Sequence, residues 1–251
     1  LNVSAKAKDL SKVSRLQLEQ ELAAAENPAR AVHSAGFFKC GPGQYGEGDI
    51  FLGIPVPVQR KIGLKYVGLP LAEIERLLKS KIHEHRFAAL EILVAQYEAG
   101  SEAERRLIYD FYLLNAARVN NWDLVDTSAP YIVGQHLRTY PGKRSVLRKI
   151  AKSKVLWERR IAIVATFAFM DAGETAATFQ IAELLLADKH DLIQKAVGWA
   201  LREAGKQARP ELLEFLERNY AELPRTTLRY AIERFTPAER ERLLKGEFPL
   251  R

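Results

Sequence analysis

Trp122, Asp126, Arg160 and Trp199 are the residues whose types and spacing could do chemistry in this sequence. A carboxylate stabilises a growing positive charge and can orient an attacking water. A guanidinium anchors a phosphate. An indole face attracts a cation by about 0.5–2 kcal/mol, depending on how far the pair is desolvated. Each residue alone has a plainer explanation. A helical Trp is more often core, the reading that fits Trp157. Asp126 precedes Thr127-Ser128-Ala129-Pro130 and could cap a helix. Arg160 could pair with a neighbouring acid.

A repeat puts the four into one frame. Arg86, Asp123, Arg160, Lys195 and Arg229 follow one another at intervals of 37, 37, 35 and 34 residues, each leading a small or apolar stretch. Such intervals fit helix pairs stacked as a solenoid. Trp122 stands at −1 of its marker, Asp126 at +3, Arg160 on its marker and Trp199 at +4. These positions share one face of a helix. With helices in register, the four residues line one surface, and solenoids often bind ligands on their concave side.

The elements that must position them are helical. Leu71, Ile74, Leu77, Leu78 and Ile82 have helical spacing, as do Phe87, Leu90, Leu93, Val94 and Tyr97, and no sustained period-two run appears. The expected fold is all-α, a HEAT-like helical-repeat solenoid. One domain is expected over 1–251: a cap of helix and loop over 1–70, stacked helix pairs over 71–236, and a tail over 237–251. In the cap, Arg15 to Ala25 forms a helix that ends at Asn27-Pro28, and Gln59 to Tyr66 starts the next. Gly41-Pro42-Gly43-Gln44-Tyr45-Gly46 matches G-x-G-x-x-G, but Pro42 sits inside it and neither a strand nor a βαβ unit accompanies it, so it reads as a turn-rich loop.

Composition narrows the function. The 251 residues are 47% hydrophobic and 27% charged, which is globular composition. The net charge of +7 suggests a polyanionic partner. Nine Lys or Arg lie between Arg138 and Arg160, opposed only by Glu158, and this run leads into the Arg160 helix. Cys40 is the sole cysteine, which excludes an internal disulfide framework and a multi-cysteine zinc site. The scattered histidines, His33, His83, His85, His136 and His190, suggest no metal. The apolar run Ile161 to Met170 spans ten residues, too few to cross a bilayer, and no leader pattern opens the sequence. A soluble, cytoplasmic, monomeric protein without cofactor is expected.

Three segments then carry a resemblance: Asn121-Trp122-Asp123-Leu124-Val125-Asp126, Trp157-Glu158-Arg159-Arg160-Ile161-Ala162, and Lys195-Ala196-Val197-Gly198-Trp199-Ala200-Leu201-Arg202-Glu203. With the loop Gly53-Ile54-Pro55-Val56-Pro57-Val58-Gln59-Arg60, the sequence resembles the AlkD-type DNA glycosylases of bacterial alkylation repair from about Phe37 to Glu203. The resemblance implies duplex DNA held in a basic concave groove and excision of N3- and N7-alkylated purines. It implies Trp122 and Trp199 as aromatic walls, Asp126 as the catalytic carboxylate and Arg160 as a phosphate or sugar contact. The expected DNA-contacting set is Arg160, Arg159, Lys154, Lys152, Arg148, Lys195 and Tyr45. No lysine is expected beside Asp126, hence no lyase step. The alternatives are a non-catalytic HEAT-like protein that binds branched or distorted DNA and, more remotely, a protein–protein scaffold.

Overall fold

The computed structural model describes residues 13–248, and among them helices carry the fold with no strand beyond a single bridge between Ile50 and Ile82. The chain divides into two compact units, one running to Leu124 and the other starting at Val125.

The first unit contains α1 (Arg15–Ala24), α2 (Pro28–Phe37), α3 (Val56–Gly63), α4 (Leu71–Leu78), α5 (His83–Ala99) and α6 (Glu102–Leu114), and α7 (Trp122–Ser128) begins in it. Its centre is α5, which packs on α3, α4 and α6. The first eight residues of α5, His83 to Leu90, are all buried, four of them polar or charged. Glu84 shows how such a burial is satisfied. Its carboxylate accepts the backbone N–H groups of Leu52 at 2.9 Å, Gly53 at 2.8 Å and Ile54 at 3.3 Å. Three donors offset the desolvation of a buried charge. Gly53 is obligatory here: its φ is +76°, and a Cβ would fall 2.4 Å from the Ala31 nitrogen.

The second unit contains α8 (Gln135–Thr139), α9 (Ser145–Ile150), α10 (Leu156–Val164), α11 (Phe167–Met170), α12 (Ala176–Leu185), α13 (Asp191–Ala204), α14 (Arg209–Asn219), α15 (Arg225–Ala231) and α16 (Pro237–Lys245). Leu192, Ile193, Ala196, Val197, Ala200, Leu201 and Ala204 are the buried stripe of α13, which packs on α10, α12 and α15. The markers Arg160, Lys195 and Arg229 therefore sit on successive neighbouring helices, as the repeat predicts.

The architecture is the expected all-α helical repeat, with two local corrections. Pro28 does not merely end α1. It opens α2 at the first helical position, where Asn27 Oδ1 accepts the Arg30 N–H. The helix expected from Gln59 starts earlier, at Val56, and stops at Gly63, a 3₁₀ turn covering Leu64–Tyr66. Pro237–Lys245, in the segment expected as a tail, is a helix opened by a Thr236–Glu239 capping box. No helix among the described residues is long and apolar enough to cross a membrane.

Candidate functional site

In the second unit the chemistry centres on Asp126 and Arg160. Asp126 lies on α7, which ends at Ser128 because Pro130 supplies no N–H to the carbonyl four residues back. A π-helical turn, Pro130–Gly134, takes up the break before α8. Arg160 rises from the middle of α10, between the buried Trp157 and the buried Ile161-Ala162-Ile163-Val164 run. Its Nε donates to Asp126 Oδ1 at 2.9 Å and its Nη2 to Oδ2 at 2.7 Å. This is a bidentate fork, the strongest geometry available to the pair. The remaining Nη1 donates to the Leu192 carbonyl at 2.8 Å, at the start of α13. The arginine side chain is 6% exposed and the aspartate 20%. The guanidinium is consequently spent inside the fold, while the aspartate side chain is part-exposed.

Trp199 is half-buried on α13 and packs on Phe167 at 4.3 Å between centroids. The preceding Gly198 lets α13 and α15 meet: a Cβ there would fall 2.4 Å from the Tyr230 Cβ and 2.6 Å from the Thr227 carbonyl oxygen. Trp157 is core, as its plain reading has it.

The expected DNA-contacting residues separate into two groups. Arg159 is tied to Asp188 at 2.6 Å and to the carbonyls of Ser153 and Lys154. Lys195 bonds Asp191 at 2.8 Å, a bond that holds the Asp191 carboxyl below its ordinary pKa. Arg160 is committed to Asp126. By contrast Arg148, Lys149, Lys152 and Lys154 are exposed and in no ion pair among the described residues. Tyr45 is half-buried in the turn-rich loop.

In the first unit Trp122 opens α7 and is half-buried. It stacks on Phe38 at 5.2 Å and 11°, with the exposed Phe37 ring edge-on at 5.9 Å. Phe37 and Phe38 escape the repeat because they lie before its first marker. Beside them lie four charged or titratable groups that were not among the candidate site residues: Asp49, His83, Arg86 and Asp123. His83 Nε2 is 2.7 Å from Asp123 Oδ2, and Arg86 Nη2 is 2.6 Å from Asp49 Oδ2. Their only sequence trace is that Arg86 and Asp123 are both frame markers. Among the described residues, no group of three His, Cys, Asp or Glu is arranged to hold a metal ion.

An all-α helical-repeat protein with an arginine-clamped aspartate and half-buried tryptophans is the class that this geometry defines. A profile of the DNA alkylation repair enzyme family matches residues 18–235, and the chain belongs to that family. Membership gives it a role in the repair of alkylation damage, with DNA as partner. The solved structure of a predicted DNA alkylation repair enzyme from Enterococcus faecalis is similar, with a TM-score of 0.68 at 17% identity over 84% of this chain and 97% of that one. At that identity the likeness is one of fold. No curated protein matches the sequence.

Proposed function

We propose that the protein is a monofunctional DNA glycosylase. It hydrolyses the N-glycosidic bond of cationic N3- and N7-alkylated purines in duplex DNA, 3-methyladenine and 7-methylguanine among them, as the first step of base excision repair. The observation that carries this reading is the Asp126–Arg160 fork, which fixes a part-exposed carboxylate in one orientation.

The chemistry asks for little more. An alkylated purine of this kind is already positively charged. When its C1′–N bond breaks, the bonding pair returns to the ring and the base leaves neutral, so no acid need protonate it. Positive charge develops on the deoxyribose instead, and a fixed carboxylate stabilises it. Water attacks C1′, and its proton passes to Asp126 or to solvent. Arg160 acts on Asp126 rather than on a phosphate: it keeps the acid aimed. The indoles of Trp122 and Trp199 favour the cationic base and the developing cation. The cation on Asp126 is a guanidinium, which forms no Schiff base, in keeping with a monofunctional enzyme. Phosphate tracking falls to Arg148, Lys149, Lys152 and Lys154, whose exposed charges should make binding strongly salt-dependent. On this reading the HEAT-like protein works as a cytoplasmic monomer on nucleoid DNA.

The test is free-base release from duplex DNA carrying 7-methylguanine, with Asp126→Asn alongside. Release by the wild type and its loss in the variant are expected. No release by the wild type, with salt-sensitive binding retained, would move the assignment to a non-catalytic protein that binds branched or distorted DNA.

A further inference from the structure

A closed circuit of contacts in the first unit ties Trp122 to a buried histidine. Trp122 stacks on Phe38, Phe38 on Phe51 at 4.9 Å and 23°, and Phe51 on His83 at 4.5 Å and 21°. His83 then reaches Asp123, the chain neighbour of Trp122, through its Nε2. The His83 side chain is 2% exposed. Its other nitrogen, Nδ1, lies 3.8 Å from Asp49 Oδ2 and 3.5 Å from Arg86 Nη2. Cys40 is near enough to Asp49 and Arg86 to be influenced by both. Glu84 and His85 follow His83 along α5, Glu84 saturated by backbone N–H groups and His85 beside the Ser80 hydroxyl.

Counting charge in this cluster explains why the histidine is there. Asp49 and Asp123 bring two negative charges and Arg86 brings one positive. Only an imidazolium at His83 balances the set, and an unbalanced buried charge is expensive. An imidazolium donates through Nε2 to Asp123 and turns its Nδ1–H toward the Asp49 charge 3.8 Å away, at the expense of the 3.5 Å Arg86 contact, which only an unprotonated Nδ1 accepts.

We propose that His83 is a positioning residue of the candidate site: as an imidazolium held by Asp123 and stacked on Phe51, it fixes the aromatic platform against which Trp122 lies, and loss of its proton releases Trp122. Burial on its own pushes the His83 pKa down, but Asp123 and then Asp49 outweigh it and leave the pKa above its ordinary value. Release therefore belongs to the alkaline side of about pH 6.5. The consequence for catalysis rests on the glycosylase reading; the coupling of His83 to Trp122 does not.

The coupling can be read without any activity. The full-length protein is labelled with 5-fluorotryptophan, and its three indoles are followed by fluorine NMR as pH is raised. The Trp122 signal is identified as the one lost in Trp122→Phe. It should shift along a single titration curve with a midpoint above about 6.5, and this curve should vanish in His83→Gln. Asp123→Asn, which keeps the shape of the contact, should lower the midpoint and serves where His83→Gln does not fold. A Trp122 signal that does not titrate, one that titrates unchanged in His83→Gln, or an unmoved midpoint in Asp123→Asn would each overturn the proposal. In the activity arm, wild-type release of 7-methylguanine should fall about 10- to 100-fold through the same midpoint, the scale expected when a site group is misplaced. Release that stays level through that midpoint would overturn the catalytic role. A protein that releases no base yet shows the Trp122 titration would refute the glycosylase assignment and leave the coupling standing.

Discussion

Arg86 in the first unit and Arg160 in the second stand at the same position of the repeat frame, each buried against one carboxylate and one backbone carbonyl. Arg86 meets Asp49 at 2.6 Å and the Ser80 carbonyl at 2.7 Å. Arg160 meets Asp126 at 2.7 Å and the Leu192 carbonyl at 2.8 Å. The acids differ. Asp49 is 7% exposed and closed in by His83, whereas Asp126 is 20% exposed. An arginine–aspartate pair is thus a structural tie where the acid is sealed and a candidate catalytic group where the acid is part-exposed. What separates the two is access to the carboxylate, not the identity of its partner.

Removing each arginine tests that contrast most severely. Arg86→Met strands the buried Asp49 carboxylate and should cost about 3–5 kcal/mol of folding stability in urea denaturation. A loss below about 1 kcal/mol would mean that Asp49 is hydrated after all. Arg160→Met should cost less, about 1–3 kcal/mol, because Asp126 is the more exposed acid and can take up water. It should nevertheless slow base release by on the order of 100-fold, since the carboxylate loses its orientation. Equal stability losses for the two variants would break the comparison.

A pH series sharpens it further. The folded His83 has a raised pKa, so its stabilisation is complete below the unfolded value of about 6.5 and is lost as pH rises through the folded value. Unfolding free energy should decline as pH rises above about 6.5 in the wild type, and His83→Gln should flatten that decline. An identical slope in both proteins would remove His83 from the balance. The smallest effects belong to the exposed lysines. Lys152→Ala and Lys154→Ala should each reduce the salt slope of DNA binding by about one, with stability unchanged within about 0.5 kcal/mol. Unaltered salt slopes would clear both residues of phosphate contact.

The second unit was more legible in the sequence than the first. The frame through Arg160, Lys195 and Arg229 marks helices that do pack in succession, and Asp126 with Arg160 is a pair that the plain reading of Arg160 already allowed. The first unit depends on contacts without a periodic trace. His83 and Asp123 lie 40 residues apart, and Glu84 reaches back to the Leu52–Ile54 backbone. A buried His-Glu-His-Arg run looks like a solvated helix start until its partners are known. Two helix starts had visible signals. Asn27-Pro28 is a helix entry as well as a helix stop, and Thr236-Pro237-Ala238-Glu239 has the spacing of a capping box.

Gly198 has a consequence for anyone surveying this protein by saturation mutagenesis. Every side chain at 198 must displace Tyr230 or the Thr227 backbone, so α13 and α15 would separate and carry Trp199 with them. An activity screen would therefore score position 198 as intolerant as Asp126, although the glycine touches no substrate. Growth at low temperature, or a count of soluble protein per variant, would pull the two apart. On the glycosylase reading, Asp126→Asn, which keeps the shape and one acceptor for Arg160, would accumulate as folded, inert protein, and variants at 198 would be missing from the soluble pool.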